Sequence, residues 1–228
     1  MPQRYWWVVA TYVIMQLSGL VAAPMLLLEG LTKTQAVVIW SVFSFSAALI
    51  IILILLRKDM RESRNATGRA PVDQSILWAV LGILLALGAQ VVSSMIESAL
   101  GVNHASQNTE IITEITRKMP IFILIAAIIG PILEEVVFRK IIFGSLNKRF
   151  DFAIAAVVSS LIFGLAHREI PFLLSYTSMG FVFAFLYAKT KRILVPIVAH
   201  ASMNTFVVLI QVIFYDDLKK YMQHLKDV

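Results

Sequence analysis

The sequence predicts an all-α fold: a polytopic membrane helical bundle of about seven transmembrane helices, in one integral membrane domain over residues 1–228. Three observations lead there. Hydrophobic residues make up 59% of the chain and the mean hydropathy is +0.81, well above the roughly 45–50% apolar content of soluble domains. The apolar residues fall into runs of about 16 to 25, the length that crosses a hydrocarbon core of about 30 Å at 1.5 Å rise per residue. Short charged segments separate the runs, and Lys and Arg are shared unevenly between alternate segments.

In chain order the spans are expected at 5–28, 35–56, 76–100, 119–143, 151–166, 172–188 and 193–214. The first follows directly on Met1-Pro2-Gln3-Arg4 and stays apolar too long for a cleaved signal, so it reads as a membrane helix. Basic residues follow span two (Arg57, Lys58, Arg61, Arg64, Arg69), span four (Arg139, Lys140, Lys148, Arg149) and span six (Lys189, Lys191, Arg192). With Arg4 these are 13 of the 20 Lys and Arg, leaving 7 for the other side. The positive-inside rule then predicts a cell-membrane protein with a cytoplasmic N-terminus and an external C-terminus.

The net charge of +6 comes mainly from those loops. It reads as topology and contact with anionic lipid, not nucleic-acid binding. With no cysteine in the chain, disulfides, cysteine-ligated metal and thiol-protease chemistry are excluded. The polar stretch Arg57 to Pro71 reads as a cytoplasmic connector. Asn103 to Lys118 carries Ile111, Ile112 and Ile115 at helical spacing and reads as an external amphipathic helix on the membrane surface. The tail from Tyr215 to Val228 reads as a solvated helix or frayed end. Met119, Met179 and Met203 read as packing residues, and nothing sets the oligomeric state.

Three polar sets interrupt the motif-bearing core at about 119–214. Side chains that ionise in hydrocarbon are rare and usually pair around a site. In the first set Glu135 and Arg139 lie four apart with the acid N-terminal, the favourable order for a helical ion pair. Glu134 points about 100° away and is left free to accept a proton. Just upstream, Pro131 lacks an N–H and is expected to break the bond to the Ala127 carbonyl. The second set is Phe163 with His167 one turn later, on a helix whose Ser159, Ser160 and Gly164 permit close packing. In the third, His200 and Asn204 share a face and can aim two donors at one point, as an oxyanion hole requires. Together they supply a carboxylate base, an imidazole and a donor pair, sufficient for amide hydrolysis.

EExxxR, FxxxH and HxxxN, in this order on separate spans, resemble the CPBP family of intramembrane proteases, which takes in the CAAX prenyl proteases, the bacteriocin-processing proteins and the name Abi. The resemblance covers about Gly130 to Asn204. It implies a peptidase acting on a peptide or membrane-protein substrate, lipidated or not, from a chamber open to the cytoplasm. It implies Glu134 and His167 as the water-activating pair, and His200 with Asn204 as oxyanion ligands. Glu135, Arg139 and Phe163 are supporting residues. Glu134, His167 and His200 are also donors that Zn²⁺ accepts, but HExxH is missing and no cofactor is expected to be obligatory. Two rival readings are a non-catalytic immunity or scaffold protein and a proton-coupled transporter, the latter weakened by the lack of an inverted repeat. One mismatch stands out. Measured from the cytoplasmic side, His167 lies roughly 24 Å into its span and His200 only roughly 10 Å into its own.

Overall fold

The structure, a computed structural model, describes residues 1–64, 67–102, 106–217 and 220. Most of the C-terminal tail and the start of the Asn103–Lys118 stretch therefore lie outside the described residues. Two long helices, α1 (Gln3–Leu28) and α2 (Lys33–Leu55), form an antiparallel hairpin. A capping box starts α2: Thr32 Oγ1 accepts the Gln35 N–H at 3.3 Å, and Gln35 Oε1 accepts the Thr32 N–H at 3.0 Å. The polar helix α3 (Arg57–Arg64) follows, then α4 (Val72–Ala99) and the surface helix α5 (Gln107–Lys118).

Helix α6, over 122–146, is continuous but changes register. It is π-helical over Leu124–Ile129, α-helical over Gly130–Glu134, π-helical over Glu135–Phe143 and α-helical again over Gly144–Leu146. Helix α7 (Phe152–Ala166) is N-capped by Asp151, and a 3₁₀ turn, Ile170–Phe172, leads into α8 (Leu173–Thr190). Helix α9 (Leu194–Ile213) is the last long element. All described regular structure is helical.

Five segments are long and apolar enough to cross a membrane: α1, α2, α4, Ile170–Thr190 and α9. The other two expected spans are α6, interrupted by its π segments, and α7, whose 15 residues reach about 22 Å. Contacts sort the loops into two ends. At one end Arg4 and Tyr5 bond to Asp59, and Arg192 Nε donates to the Ala70 carbonyl at 2.6 Å, so the predicted basic loops meet. At the other, α5 meets the end of α9 through Thr113 and Gln211 (2.8 Å) and through Arg117 and Asp216 (3.5 Å).

Small residues bring the core helices together, as Ser160 and Gly164 led us to expect. A Cβ on Gly180 of α8 would stand 3.0 Å from Ser160 Cβ and 3.2 Å from Ser160 Cα on α7. The α1–α2 hairpin packs Val8, Tyr12, Met15 and Ile52 against Leu133, Val137 and Ile141, so it braces the helix that carries the glutamates.

Candidate active site

The site begins with the register change in α6. In the first π segment the Gly130 N–H bonds to the Ile125 carbonyl, five residues back. The next donor in that register would be residue 131, aimed at Ala126, and Pro131 has no N–H to give. Asn204 Nδ2 of α9 instead donates to the Ala126 carbonyl at 3.4 Å. In the π register the carbonyl that Pro131 leaves without a donor is that of Ala126, where an α-helical register implies Ala127.

The second π segment changes the expected division of labour between the glutamates. Glu134 ends the α-helical turn and Glu135 opens the second π segment. Both reach His200. Glu135 Oε1 accepts from His200 Nδ1 at 2.9 Å, and Glu134 Oε2 lies 3.8 Å from His200 Nε2. Glu135 also pairs with Arg139 at 3.1 Å, both side chains fully buried, as the i,i+4 spacing predicted. It is thus more than a counter-charge for Arg139, because it also orients an imidazole. Glu134 is the more accessible of the two, its side chain 19% exposed against 0% for Glu135.

His167 ends α7 and its Nδ1 bonds to the Phe163 carbonyl at 2.8 Å. A carbonyl only accepts, so the proton is on Nδ1 and Nε2 is the free nitrogen. The same logic leaves Nε2 of His200 free, since the Glu135 carboxylate takes its Nδ1–H. His200 donates from Nε2 only when doubly protonated, so the oxyanion role expected for it requires the imidazolium. Phe163 packs between these groups, its ring 4.6 Å from His167, 6.0 Å from His200 and 4.4 Å from the Arg139 guanidinium.

His167, His200, Asn204 and Phe163 line one cavity of about 100 Å³. Glu134 touches it through His200 and makes no ion pair with His167. The depth mismatch has its answer in the cavity's shape. His200 stacks on Phe183 and His167 on Tyr176, seven residues or about 10 Å apart along α8, so the one cavity holds the two histidines at different depths. Asn108, Thr109 and Ile112 of α5 also line it, so the amphipathic helix covers the site.

Two aromatic platforms were not singled out in the sequence. On α8, Tyr176 stacks on His167 (centroids 4.0 Å, 21°) and Phe183 on His200 (4.5 Å, 18°). Their spacing of seven, with Met179 between them on the same face, was the available signal. Met179 and Met203 line the cavity, whereas Met119 packs elsewhere against the Val38, Phe122 and Ile125 cluster. Two further carboxylates hold this end of the fold. Glu97 accepts from Ser175 N–H (2.8 Å) and Oγ (2.6 Å), and Glu169 accepts from Tyr176, Ser106 and the Asn108 N–H. Burial pushes the Glu169 carboxyl up, but those donors outweigh it and hold its pKa below the ordinary value. The histidines and Glu134 are donor types that Zn²⁺ accepts. Among the described residues, however, no three His, Asp or Glu side chains are gathered as a metal-holding group.

A multi-helix membrane bundle in which two imidazoles and an amide line one cavity, with two carboxylates reaching one of those imidazoles, presents a candidate membrane-embedded enzyme site. Residues 116–206 match the family described as type II CAAX prenyl endopeptidase Rce1-like. The chain is 42% identical over 232 residues to the putative membrane peptidase YdiL of Bacillus subtilis, covering 98% of this chain and 94% of that protein. It is also 42% identical over 205 residues to the membrane-embedded CAAX protease MroQ of Staphylococcus aureus, covering 86% of this chain and 83% of that one. A third relative, the UPF0177 protein YxdF of Lactococcus lactis, is 30% identical over 126 residues, 54% of this chain and 63% of its own. No solved structure matches. The chain belongs to the Rce1-like family of membrane-embedded CAAX-type proteases.

Proposed function

We propose that the protein is an intramembrane endopeptidase in which Glu134 activates water against a peptide bond. The supporting observation is the meeting at His200: Glu134 lies 3.8 Å from its Nε2, and the same ring lines the cavity shared with His167 and Asn204. That separation exceeds a direct hydrogen bond of about 3.2 Å at most and suits a water held between the two groups. Glu134 takes a proton from the water as its oxygen bonds to the carbonyl carbon. The resulting oxyanion is met by imidazolium His200 and by the second N–H of Asn204, the first being directed at Ala126. As the C–N bond breaks, the leaving nitrogen receives from Glu134 the proton that the carboxylate took from the water. Glu135 holds the His200 ring, and Arg139 balances Glu135.

The substrate is a peptide or a membrane-protein segment, lipidated or not. The whole chain is one membrane domain around the core at 119–214, with its N-terminus in the cytoplasm. We take the reaction to be metal-independent, and no step is drawn through a metal.

Wild-type protein and Glu134→Gln, reconstituted in liposomes with a pool of quenched fluorescent peptides, provide the test. Removing one general base lowers a rate by about 10²–10⁴-fold, so cleavage by the variant should be undetectable while folding and insertion are kept. Equal cleavage by both proteins sinks the mechanism. A strong chelator should leave wild-type cleavage unchanged, and its loss, restored by Zn²⁺, would overturn the metal-independent reading.

A further inference from the structure

We infer that Glu169 and Tyr176 are positioning residues for His167, tying the surface helix α5 to the orientation of that imidazole. The inference rests on the peptidase reading for its purpose but not for its geometry.

His167 needs an outside constraint. It caps the C-terminal end of α7, and among the described residues its ring has one hydrogen bond, back to the Phe163 carbonyl of that helix's final turn. The next residue, Arg168, has φ +59°, a left-handed conformation uncommon for a non-glycine residue, and the chain leaves the helix there. A ring at a helix end held by a single bond is free to turn about its χ angles. Tyr176 removes that freedom. Its ring lies 4.0 Å from the His167 ring and nearly parallel to it, while Phe163 meets the imidazole at 68°. The ring is thus held by two aromatics at different angles.

Tyr176 is itself fixed twice. Its hydroxyl donates to Glu169 Oε2 at 2.7 Å. The residue before it, Ser175, is pinned by the buried carboxylate of Glu97 through both its N–H and its hydroxyl. Glu169 then extends the link to α5. Oε2 also accepts from Ser106 Oγ at 2.7 Å, and Oε1 accepts the Asn108 N–H at 2.9 Å. A carboxylate at an N-terminus is favoured by the unpaired N–H groups and the helix dipole. Because Asn108, Thr109 and Ile112 line the cavity, the helix that covers the site and the ring inside it share one anchor.

The consequence is readable without any substrate. Diethyl pyrocarbonate modifies a free imidazole nitrogen, and peptide mass spectrometry of the liposome-reconstituted full chain separates His167 from His200, which serves as internal reference. In the wild type Tyr176 covers one face of the His167 ring. Losing a hydrogen bond to a charged group shifts a local equilibrium by about tenfold or more, so Glu169→Ala should raise the His167 rate by about that factor relative to His200. Tyr176→Leu should raise it at least as far, and Tyr176→Phe, which keeps the stacked ring but loses its tether, should fall between it and the wild type. A His167 to His200 rate ratio unchanged in Glu169→Ala and Tyr176→Leu overturns the proposal. So does a parallel rise at both histidines, which would mean that the bundle has loosened as a whole. Neither result depends on turnover, so a failure of the peptidase reading leaves the positioning claim separately decided.

Discussion

At the scale of single residues, Arg139 and Glu135 cannot be judged from one substitution. Arg139 is completely buried, its Nη1 and Nη2 make no hydrogen bond among the described residues, and its charge is met by Glu135 at 3.1 Å and by the face of Phe163. Removing one member of a buried pair strands the other charge and typically destabilises by about 3–5 kcal/mol, whereas replacing both with apolar groups is often neutral. Arg139→Met should therefore destabilise by about that amount in equilibrium unfolding from mixed micelles, and Glu135→Leu with Arg139→Met should recover most of it. The double variant should still fail to cleave, because His200 Nδ1 has lost its acceptor. If it recovers cleavage together with stability, Glu135 is only a counter-charge and the orienting role assigned to it is wrong.

At the scale of elements, α6 does what an uninterrupted α-helix would not. A π segment is rare and is found mostly at functional sites; here one lies on each side of the Gly130–Glu134 turn. Pro131→Ala restores an N–H aimed at Ala126 in the π register, in competition with Asn204. The expected result is a melting temperature equal to or above the wild type with reduced cleavage, since Asn204 loses the contact that directs its amide. Reduced cleavage with a lowered melting temperature would place the importance of Pro131 in folding instead. These contacts also mark where the sequence stopped being legible. The apolar runs, the Glu135–Arg139 pair and the small-residue packing of α7 on α8 follow from spacing alone, because they depend on helical period. The π register does not, since a proline in an apolar run is equally compatible with a kink, and the shared approach of Glu134 and Glu135 to His200 exists only once α6 and α9 are packed together. Tyr176 and Phe183 were hidden for another reason. An aromatic stripe on an apolar helix looks the same whether it faces lipid, core or a histidine. Glu97 and Glu169 lie outside the motifs, and they gain their partners only when α8 packs on α4 and the start of α5 reaches the Glu169 carboxylate.

At the scale of the whole molecule, the N-terminal hairpin lies outside the matched segment 116–206 yet packs against the glutamate-bearing helix. What fastens it at the loop end is Asp59, 7% exposed, which accepts from Arg4 Nε at 2.5 Å and from Tyr5 Oη at 2.7 Å. Burial pushes the Asp59 carboxyl up, but the bonds from Arg4 and Tyr5 outweigh it and hold its pKa below the ordinary value. A carboxyl held low in the folded state binds fewer protons there than in the unfolded chain. Its contribution is therefore fully present above the ordinary aspartate value of about 3.9 and is lost as pH falls through the folded value below it. Melting temperatures in detergent should be insensitive to this group between about pH 5 and 8 and should drop towards about pH 3. Asp59→Asn cannot take up that proton, so it should melt lower than wild type at neutral pH and show a smaller acid drop, the remainder coming from carboxyls such as Glu169 that are also held low. Because the hairpin braces α6 from the side of Val137 and Ile141, cleavage should fall in step with melting temperature. An acid drop of equal size in Asp59→Asn and wild type would mean that the Arg4–Tyr5–Asp59 cluster contributes nothing to holding the hairpin, and that apolar packing against α6 does so alone.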